Sequence, residues 1–561
     1  MILALLLIAL SFWIFVGNTF LQKIVCSLFS LYFLILLVKK YSANTQIIVL
    51  ILVLFGVVVF LNKKTINFEL NEQSKIKIYP DQVHIKDDFL SGTGHFEGGD
   101  ILIAGKVSDE QKKILKIGQP IIMNQIEGKC EPIESATNIG EFNYQNYYAA
   151  KKTFQRVKFT NIQLTPVQPD LVGKLHQLRY SLQKYFKKMP QLLSFFASEL
   201  ILGENNAQEN QEILNNYRDL GVIHLLSISG LHVSIYVLII STICYSLKMT
   251  DEETFLFCVL ILLLGIFLSS GQAGFVRASL TYFLGKICKY KGYHIAQVDL
   301  LGLTCVIHML FVPRLFMGAG ALLSYILALG LQLTDSFNEL KQSILLNLLL
   351  TPPLLLFFYQ INFLTVLFNM LVVPYFNWVV MPLAFINVLA FGFTKQLAPL
   401  FEKILEFGEQ LIGRLSQTQF GLINFGQINW WQCLLLLVVS IGLIVALREK
   451  PEWHFNFKKI SATLIMLYTV FFSIIHFPLR GQVTFIDVGQ GDSILVTTPF
   501  PRKAYLIDTG GKLNFSGKKV TPQINRITIP FLKSQGINTL DGVFVSHQDA
   551  DHVGDLGPLL E

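Results

Sequence analysis

The chain has 561 residues, of which 52% are hydrophobic and 15% are charged, and its mean hydropathy is +0.51. This composition is too apolar for a soluble globular protein, which excludes a chain that lies wholly in water. The formal net charge of +7 is modest; such an excess in a membrane protein partly reflects cytoplasmic loops, so it does not by itself indicate a nucleic-acid partner.

Apolar runs long enough to cross a bilayer recur along the chain, and we count roughly 11 to 13 runs of about 20 residues. The first three predict membrane-spanning helices within residues 1–62. The first run lacks the basic start and the small-residue cleavage site of a signal peptide, so we interpret it as a span. Lys39 and Lys40 follow the second run and favour a cytoplasmic loop. The next polar block would then lie outside, although Lys63 and Lys64 favour the opposite orientation.

Residues 63–168 are polar, and apolar and polar side chains alternate with period 2 in several stretches, such as residues 75–78, 83–86 and 154–159. Several short strands within about 100 residues predict a small barrel, for which the OB-fold is one candidate. An unspecialised β-rich domain outside the membrane explains the same pattern equally well.

The segment between this block and the membrane core carries leucines at helical spacing, with basic residues between and after them. The leucines are Leu171, Leu175, Leu178 and Leu182. The pattern predicts a basic amphipathic helix that lies on the membrane surface. A helix packed on the neighbouring domain fits the same residues.

Residues 190–477 hold most of the predicted spans and contain two polar insertions. In the first, His224 and His232 are eight residues apart, so both imidazoles can share one helix face, with Ser229 nearby. In the second, Arg277 has apolar sequence on both sides, and an arginine at bilayer depth usually faces a protein interior or a watery cavity. We therefore predict that these four residues line a hydrated path. Alternatively, the histidines are packing residues and Arg277 lies beside the lipid headgroups.

Residues 481–561 are again soluble in character, and an apolar run at 543–545 leads into four closely spaced metal ligands. The ligands are His547, Asp549, Asp551 and His552. Together with residues 485–493 and 506–511, they resemble the start of a metallo-β-lactamase-type domain.

Hydrolases of that type carry a His-x-His-x-Asp-His loop. The resemblance implies that His547 serves one metal and that Asp551 and His552 serve the other, with Asp551 as the candidate catalytic residue. Asp549 stands where the family has its second histidine. Because oxygen ligands favour harder ions, the expected cofactor is a divalent metal, either manganese or zinc. Asp508 follows a predicted strand, and we expect it to orient a ligand rather than bind the metal.

Strings in the membrane core and the β block resemble the ComEC family of competence proteins, which form the inner-membrane channel for DNA uptake. The most specific string is Ile228-Ser229-Gly230-Leu231-His232, which follows Leu202-Gly203-Glu204. Residues 138–144, the pair Arg277-Ala278, and Asn369 with Pro374 match further motifs in the expected order. Residues 320–325 depart from the family, which usually has phenylalanine and glutamine after the glycine.

The resemblance implies that the β block handles DNA, which its own sequence supports only locally. Residues 63–170 contain 14 basic and 14 acidic residues, so no broad phosphate-binding face is evident. One cluster interleaves aromatic and basic side chains, as many single-strand binding sites do. Its candidate DNA-binding residues are Tyr144, Tyr147, Lys151, Lys152 and Arg156. A packed amphipathic segment explains the same residues equally well.

The expected fold is a polytopic α-helical membrane protein with an N-terminal OB-like β domain and a partial C-terminal metallo-β-lactamase-like α/β domain. The expected domains are the N-terminal transmembrane segments (1–62), the OB-like domain (63–168), the competence transmembrane domain (190–477) and the partial hydrolase domain (481–561). Nine residues follow His552 and none is a histidine, whereas a catalytic zinc site needs about three protein ligands. We therefore expect the chain to be truncated in this domain, to bind metal weakly and to lack a nuclease activity that a full-length form could have.

The favoured function is passage of single-stranded DNA across the cytoplasmic membrane during natural transformation. The expected partners are single-stranded DNA, the lipid bilayer and other proteins of the competence machinery. Two alternatives stay open: a membrane-bound metallohydrolase that acts on a lipid or a nucleotide, and a small-solute transporter with a vestigial hydrolase tail.

Overall fold

The computed structural model describes residues 1–16, 20–40, 45–63, 68–71, 73–204, 210–226, 230–390, 396–448, 454–511 and 522–560. These residues are mostly helical, with a barrel before the main helical block and a small sheet after it. Ser229, one of the predicted path residues, lies outside the described residues.

Three apolar helices precede the barrel: α1 (Ile2–Phe15), α2 (Phe20–Lys40) and α3 (Thr45–Lys63). The buried side chains Leu7 and Phe55 pack within this region and against later helices. Large apolar side chains such as Leu50 and Phe60 are exposed on the outer faces. An exterior of this kind suits contact with lipid, because burial in hydrocarbon removes such surface from water.

The barrel has five strands, all within the continuously described stretch 73–204. The strands are β1 (Ile76–Lys86), β2 (Phe89–Phe96), β3 (Gly99–Lys106), β4 (Ile121–Pro132) and β5 (Thr153–Pro166), and the inserted helices are α4 (Asp109–Lys116) and α5 (Tyr144–Ala150). The order is β1-β2-β3-β5-β4, and only β3 and β5 run parallel. Alternate side chains such as Ile78, Ile101 and Met123 fill the interior. The predicted small barrel is therefore present.

Local sequence features explain how the barrel closes. The backbones of β3 and β5 approach each other closely at Gly105, where a Cβ atom would collide with the carbonyl oxygen of Phe159. Helix α4 begins with a capping box in which Ser108 and Gln111 each satisfy the backbone N–H of the other. A glycine and a helix cap thus fix the end of β3 and the turn that follows it.

The main helical block follows the barrel. Its elements are α6 (Leu171–Phe186), α7 (Gln191–Ala197), α8 (Gln211–Asp219), α9 (Gly230–Ser246), α10 (Asp251–Leu268), α11 (Ala273–Tyr290), α12 (Gln297–Phe311), α13 (Ala319–Leu333), α14 (Glu339–Phe358), β6 (Gln360–Asn362), α15 (Thr365–Tyr375), α16 (Met381–Leu389), α17 (Ala398–Gln417), β7 (Leu422–Asn424), α18 (Trp430–Arg448) and α19 (His454–His476). Strands β6 and β7 pair antiparallel.

The described residues contain seven helical segments that are long and apolar enough to cross a membrane, together with four shorter apolar helices of 10–17 residues. The long segments are at α2, α3, α9, α14, α15 with α16, α18 and α19. The protein is therefore a multi-pass membrane protein. The sequence count was higher because it also included apolar runs that form shorter helices, such as α12 and α13.

The C-terminal residues that the structure describes form a four-stranded sheet with short helices. The elements are β8 (Gln482–Phe485), β9 (Ile494–Thr497), β10 (Ala504–Ile507), α20 (Thr528–Ser534), β11 (Gly542–Phe544), α21 (Ala550–Val553) and α22 (Leu556–Leu560). The sheet order is β11-β10-β9-β8. Strands β10 and β11 are parallel, so their carboxyl ends at Ile507 and Phe544 lie side by side. The sheet fits a metallo-β-lactamase-type domain.

Candidate nucleic-acid interface and metal centre

A cleft of about 1360 Å³ separates one face of the barrel from the helical block. The barrel wall comes from β1, β2, β3 and β5 together with the end of α5. The opposite side includes residues of α6 and α10 and four residues at breaks between helices. These four, Gly203, Glu204, Ser270 and Gly271, are here called the cleft floor. The cleft therefore lies between the barrel and the helix breaks at residues 203–204 and 270–271.

The barrel wall combines cations with aromatic rings. Its cations are Lys106, Lys151, Arg156 and Lys158, and its aromatic residues with accessible surface include Phe89, Tyr147 and Tyr148. Two aspartates, Asp81 and Asp100, are also in the lining. Lys158 is compensated in part, because its Nζ lies 2.6 Å from a Glu131 carboxylate oxygen. Stacking surfaces beside cations are what a groove for an unpaired nucleic-acid strand requires.

Three of the five predicted DNA-binding residues lie in this wall: Tyr147, Lys151 and Arg156. The Lys151 Nζ lies 4.5 Å from the centroid of the Tyr147 ring and donates a 2.8 Å hydrogen bond to the Tyr147 hydroxyl. Lys152 and Tyr144 are not part of the described cleft lining. Tyr144 instead stacks on Tyr148 at 6.5 Å between ring centroids.

Sequence reasoning missed Phe89 and Lys106, which lie 55 and 38 residues before Tyr144, the first residue of the predicted cluster. The parallel pairing of β3 with β5 brings Gly105 opposite Phe159 and so carries Lys106 to the same face. The period-2 alternation ends at Lys106, but nothing in that pattern indicates which distant strand will pair with it.

The structure brings Arg277 beside the start of the Gly230-Leu231-His232 string. A Cβ atom at Gly230 would lie 3.2 Å from Nη2 of Arg277, so α9 and α11 meet at these residues. His232 is buried in α9. His224 is half-buried in the turn Ile223–Leu225, and residues 227–229, which link this turn to α9, lie outside the described residues. The common face of the two histidines and the path itself therefore stay predictions.

The parallel ends of β10 and β11 position the metal ligands predicted from the sequence. His547 follows β11, and α21 carries Asp551 and His552. One ligand atom from each of these three residues lies within 4.8 Å of the others. Two imidazoles and a carboxylate are ordinary donors for zinc or manganese. The residues present therefore fit a divalent metal.

Asp549 lies beside this group without belonging to it. Its Oδ2 is 3.3 Å from Nε2 of His547, and its side chain is exposed. The three residues that converge are His547, Asp551 and His552. The role of Asp549 as a ligand stays a prediction.

Asp508, which follows β10, supports the metal loop through hydrogen bonds. Its carboxylate accepts hydrogen bonds of 2.7 Å from both the backbone N–H and the hydroxyl of Ser546, and Nδ1 of His552 donates to it at 2.9 Å. A proton held on Nδ1 leaves Nε2 of His552 available as a ligand. This arrangement agrees with the expectation that Asp508 orients a ligand.

The same contacts shift two pKa values. Burial alone would raise the pKa of Asp508, but the hydrogen bonds from Ser546 and His552 together lower it. The hydrogen bond to Asp508 in turn raises the pKa of His552, because the carboxylate stabilises the imidazolium. Asp508 is therefore an anion that both orients His552 and makes it more basic.

The barrel and the C-terminal region are in direct contact. The side-chain amide of Asn138 donates to the Asp487 carbonyl at 2.8 Å, and the Asp487 N–H donates to Oδ1 of Asn138 at 2.9 Å. The helical block is also joined to this region, since the Gln427 N–H donates to the Ser534 carbonyl at 2.7 Å. The barrel and the C-terminal region therefore lie on the same side of the helical block.

Residues 200–450 match the sequence profile of the family described as "Competence protein", and residues 486–561 match that of the metallo-beta-lactamase superfamily. Residues 200–450 are called the competence-family domain below, because they match that family's profile. It is 28% identical over 478 residues to "ComE operon protein 3" of Bacillus subtilis (strain 168). That alignment covers 81% of this chain and 60% of the relative, so the chain spans about three fifths of the length of the protein it matches. No solved structure matches the chain significantly. The resemblance inferred from the sequence strings is thus confirmed.

The competence-family domain begins at the cleft. Its first residues include Gly203 and Glu204, and Ser270 and Gly271 also belong to it, so all four residues of the cleft floor are inside the matched range. The opposite wall comes from the barrel, which precedes that range. The cleft is therefore the place where the barrel meets the competence-family domain.

Proposed function

We propose that the protein passes single-stranded DNA across the cytoplasmic membrane during natural transformation and that the strand enters through the cleft. The observation that carries this proposal is the cleft, whose wall holds aromatic rings and cations and whose floor belongs to the competence-family domain. Similarity to ComE operon protein 3 supports a role in competence.

The barrel is proposed to be OB-like. Five strands in the order β1-β2-β3-β5-β4 close on themselves, and OB-folds of five strands bind oligonucleotides on an open face. In this chain the face with Phe89, Tyr147 and Arg156 is the one that borders the cleft. The barrel would bind the single-stranded DNA, and the helical block would conduct it across the membrane.

The cleft chemistry favours a single strand over a duplex. Unpaired bases expose their flat faces and stack on aromatic side chains, whereas paired bases in a duplex do not. Duplex binding draws most of its affinity from phosphate contacts over a broad basic surface. Residues 63–170 are balanced at 14 basic and 14 acidic residues, so they have no excess of positive charge for a broad basic surface.

The path through the membrane is proposed to pass His224, Ser229, His232 and Arg277. Arg277 lies beside Gly230 where α9 and α11 meet. A guanidinium at this depth is costly against lipid and stable beside water or an anionic strand. The residues of the cleft floor belong to the same domain and would form the entrance to this path.

A metal-dependent hydrolase is the second candidate function, favoured by the convergence of His547, Asp551 and His552. These residues would hold the ion, with Asp508 fixing the orientation of His552. A bound divalent ion supplies a water of lowered pKa, which is the chemistry such sites use in hydrolysis. Asp551 is the residue we propose for catalysis, and zinc and manganese both suit the donor set.

The four regions at 1–62, 63–168, 190–477 and 481–561 are proposed as separate domains with these roles. The bilayer would surround the spanning helices, and other proteins of the competence machinery would deliver the DNA. No described feature singles out a small solute as the transported species.

Deleting the gene in a naturally transformable host tests the proposal, with uptake of labelled DNA as the measurement. We expect uptake to be lost and to return with the parent gene. A gene carrying Lys151→Glu with Arg156→Glu should not restore it, because both changes place negative charge in the cleft. Lys113→Glu, on the exposed surface of α4, is the matched control and should restore uptake. Unchanged uptake in the deletion strain would contradict the proposal.

A further inference from the structure

Arg179 of α6 lies at the junction between the barrel and the helical block, in the lining of the cleft. Its side chain is only 6% exposed. Its guanidinium has four partners. Nη1 donates to Oδ2 of Asp81 at 3.0 Å, Nε donates to the Leu268 carbonyl at 2.9 Å, and Nη2 donates to the Leu202 carbonyl at 3.3 Å and also pairs with Glu204. One side chain therefore joins three separate parts of the chain.

Two of these partners are carbonyls at helix ends. Leu202 closes the π-helical turn Ser198–Leu202 that continues α7, and Leu268 is the last residue of α10. The last carbonyls of a helix have no partner within the helix, and a cation near them is favourable. Arg179 thus caps the ends of two helices at once.

The segments that follow these two helix ends also contact each other. The side-chain amide of Gln272 donates to the Gly203 carbonyl at 3.2 Å. Gly203 has a φ of +66°, and a Cβ atom there would collide with the Gln272 side chain. The chain segments that follow the two helix ends therefore meet in space and form the cleft floor together.

Asp81 anchors Arg179 to the barrel. The Asp81 side chain is fully buried, with 0% exposure, and both of its carboxylate oxygens lie 2.9 Å from Nδ1 of His176. Asp81 falls where the pairing of β1 with β2 shifts register, between Ile78 and Val83. An irregularity of this kind can turn a side chain out of a regular strand, and here the Asp81 side chain contacts α6.

We propose that Arg179 is a positioning residue for DNA passage, which holds the barrel through Asp81 against the two helix ends that form the cleft floor. The inference rests on the proposed function, since it assumes that the cleft carries the strand. A lysine cannot replace it, because a single ammonium lacks the planar fork that reaches a carboxylate and two carbonyls in fixed directions. Loss of the Arg179 guanidinium should make the cleft floor more mobile, while the aromatic and basic residues of the cleft wall stay in place.

Arg179→Lys and Arg179→Gln test the proposal in the purified full chain, with Lys174→Gln on the exposed face of the same helix as the control. Amide hydrogen exchange should rise by about tenfold in residues 199–204 and 266–272 of both Arg179 variants and stay unchanged in β3. Oligothymidylate binding should stay within about threefold of the parent, because the wall is intact.

Uptake in cells, expressed per inserted molecule, should fall by about tenfold for both Arg179 variants, with an unchanged half-saturating DNA concentration. Unchanged exchange at both helix ends would overturn the proposal. A rise of the half-saturating concentration with a smaller salt dependence would show that Arg179 binds the strand itself, and would also overturn it. If uptake falls only in proportion to the amount of protein inserted in the membrane, Arg179 acts in folding alone, and the proposal is overturned. If the parent neither binds oligothymidylate nor supports uptake, the proposed function fails, and the exchange comparison alone decides whether Arg179 holds the junction.

Discussion

Replacing Asp508 by asparagine tests how the C-terminal loop prepares a metal ligand. Asp508 has a φ of +57°, a conformation that asparagine adopts more readily than most residues, so the substitution leaves the backbone undisturbed. The parent carboxylate accepts hydrogen bonds from the N–H and hydroxyl of Ser546 at 2.7 Å and from Nδ1 of His552 at 2.9 Å. An amide of the same shape retains only one of the two oxygens.

The expected magnitude follows from the tautomer of His552. With the amide nitrogen of the new asparagine directed at Nδ1, that ring nitrogen must accept a hydrogen bond, and the proton moves to Nε2, the nitrogen that would otherwise bind the metal. Loss of a partner of this kind lowers metal affinity by about 10- to 100-fold. We therefore expect the Kd for zinc or manganese to rise by about 30-fold, with the far-ultraviolet circular dichroism unchanged.

Competition with a chelating dye, measured on the purified full chain, is the assay. Asp541→Asn is the control, because the Asp541 carboxylate accepts a 2.8 Å hydrogen bond from the Ala504 N–H at the other end of the same pair of strands. An unchanged Kd in the Asp508 variant, or an equal loss in the Asp541 variant, would refute the role of Asp508. A parent chain that binds no metal would refute the assignment of the donor set itself.

The barrel and cleft give three further predictions. Tyr147→Ala should weaken binding of oligothymidylate by about 1–3 kcal/mol through the loss of one stacking surface, as fluorescence anisotropy would show. Lys151→Gln should reduce the slope of log affinity against log salt concentration by about one unit, because one phosphate contact is lost, whereas Lys113→Gln should leave the slope unchanged. Gly105→Ala should destabilise the barrel by about 1–3 kcal/mol in thermal unfolding, because the new Cβ meets the Phe159 carbonyl; an unaltered melting temperature would contradict the close approach of β3 and β5.

The barrel shows what alternation can predict and what it cannot. Period 2 indicates that one face of each strand is buried, and Ile76, Ile78 and Val157 are indeed in the barrel core. The parallel contact of β3 with β5 joins residues about fifty positions apart and depends on packing across the whole domain. For that reason the sequence predicted a small barrel and part of the cleft wall but not the contribution of Lys106.

Helix α6 buries polar side chains that the leucine pattern did not indicate. Leu171, Leu175 and Leu178 are exposed on the protein surface, so the expected contact of this stripe with the membrane surface stays a prediction. His176 and Arg179 are buried against the barrel and the helical block. Their burial could not be predicted, because their partners Asp81 and Leu268 are distant in the sequence.

The metal loop was the most predictable part of the candidate site, since its ligands are local. His547, Asp551 and His552 lie within six residues, and a loop followed by a short helix is enough to bring them together. The support from Asp508 was predictable from its position at a strand end. The contact of Asn138 with Asp487 was not, because it depends on how two domains meet.

Site-specific photocrosslinking in cells that take up labelled DNA tests the central claim most directly, because it asks whether the strand occupies the cleft. A photoreactive phenylalanine analogue would replace Tyr147 in the cleft wall or, as the control, Ile117 on the exposed barrel surface. We predict a DNA adduct at position 147 that is sensitive to a single-strand-specific nuclease, with none at position 117. Continued uptake without an adduct at position 147, or equal adducts at both positions, would contradict passage of the strand through the cleft.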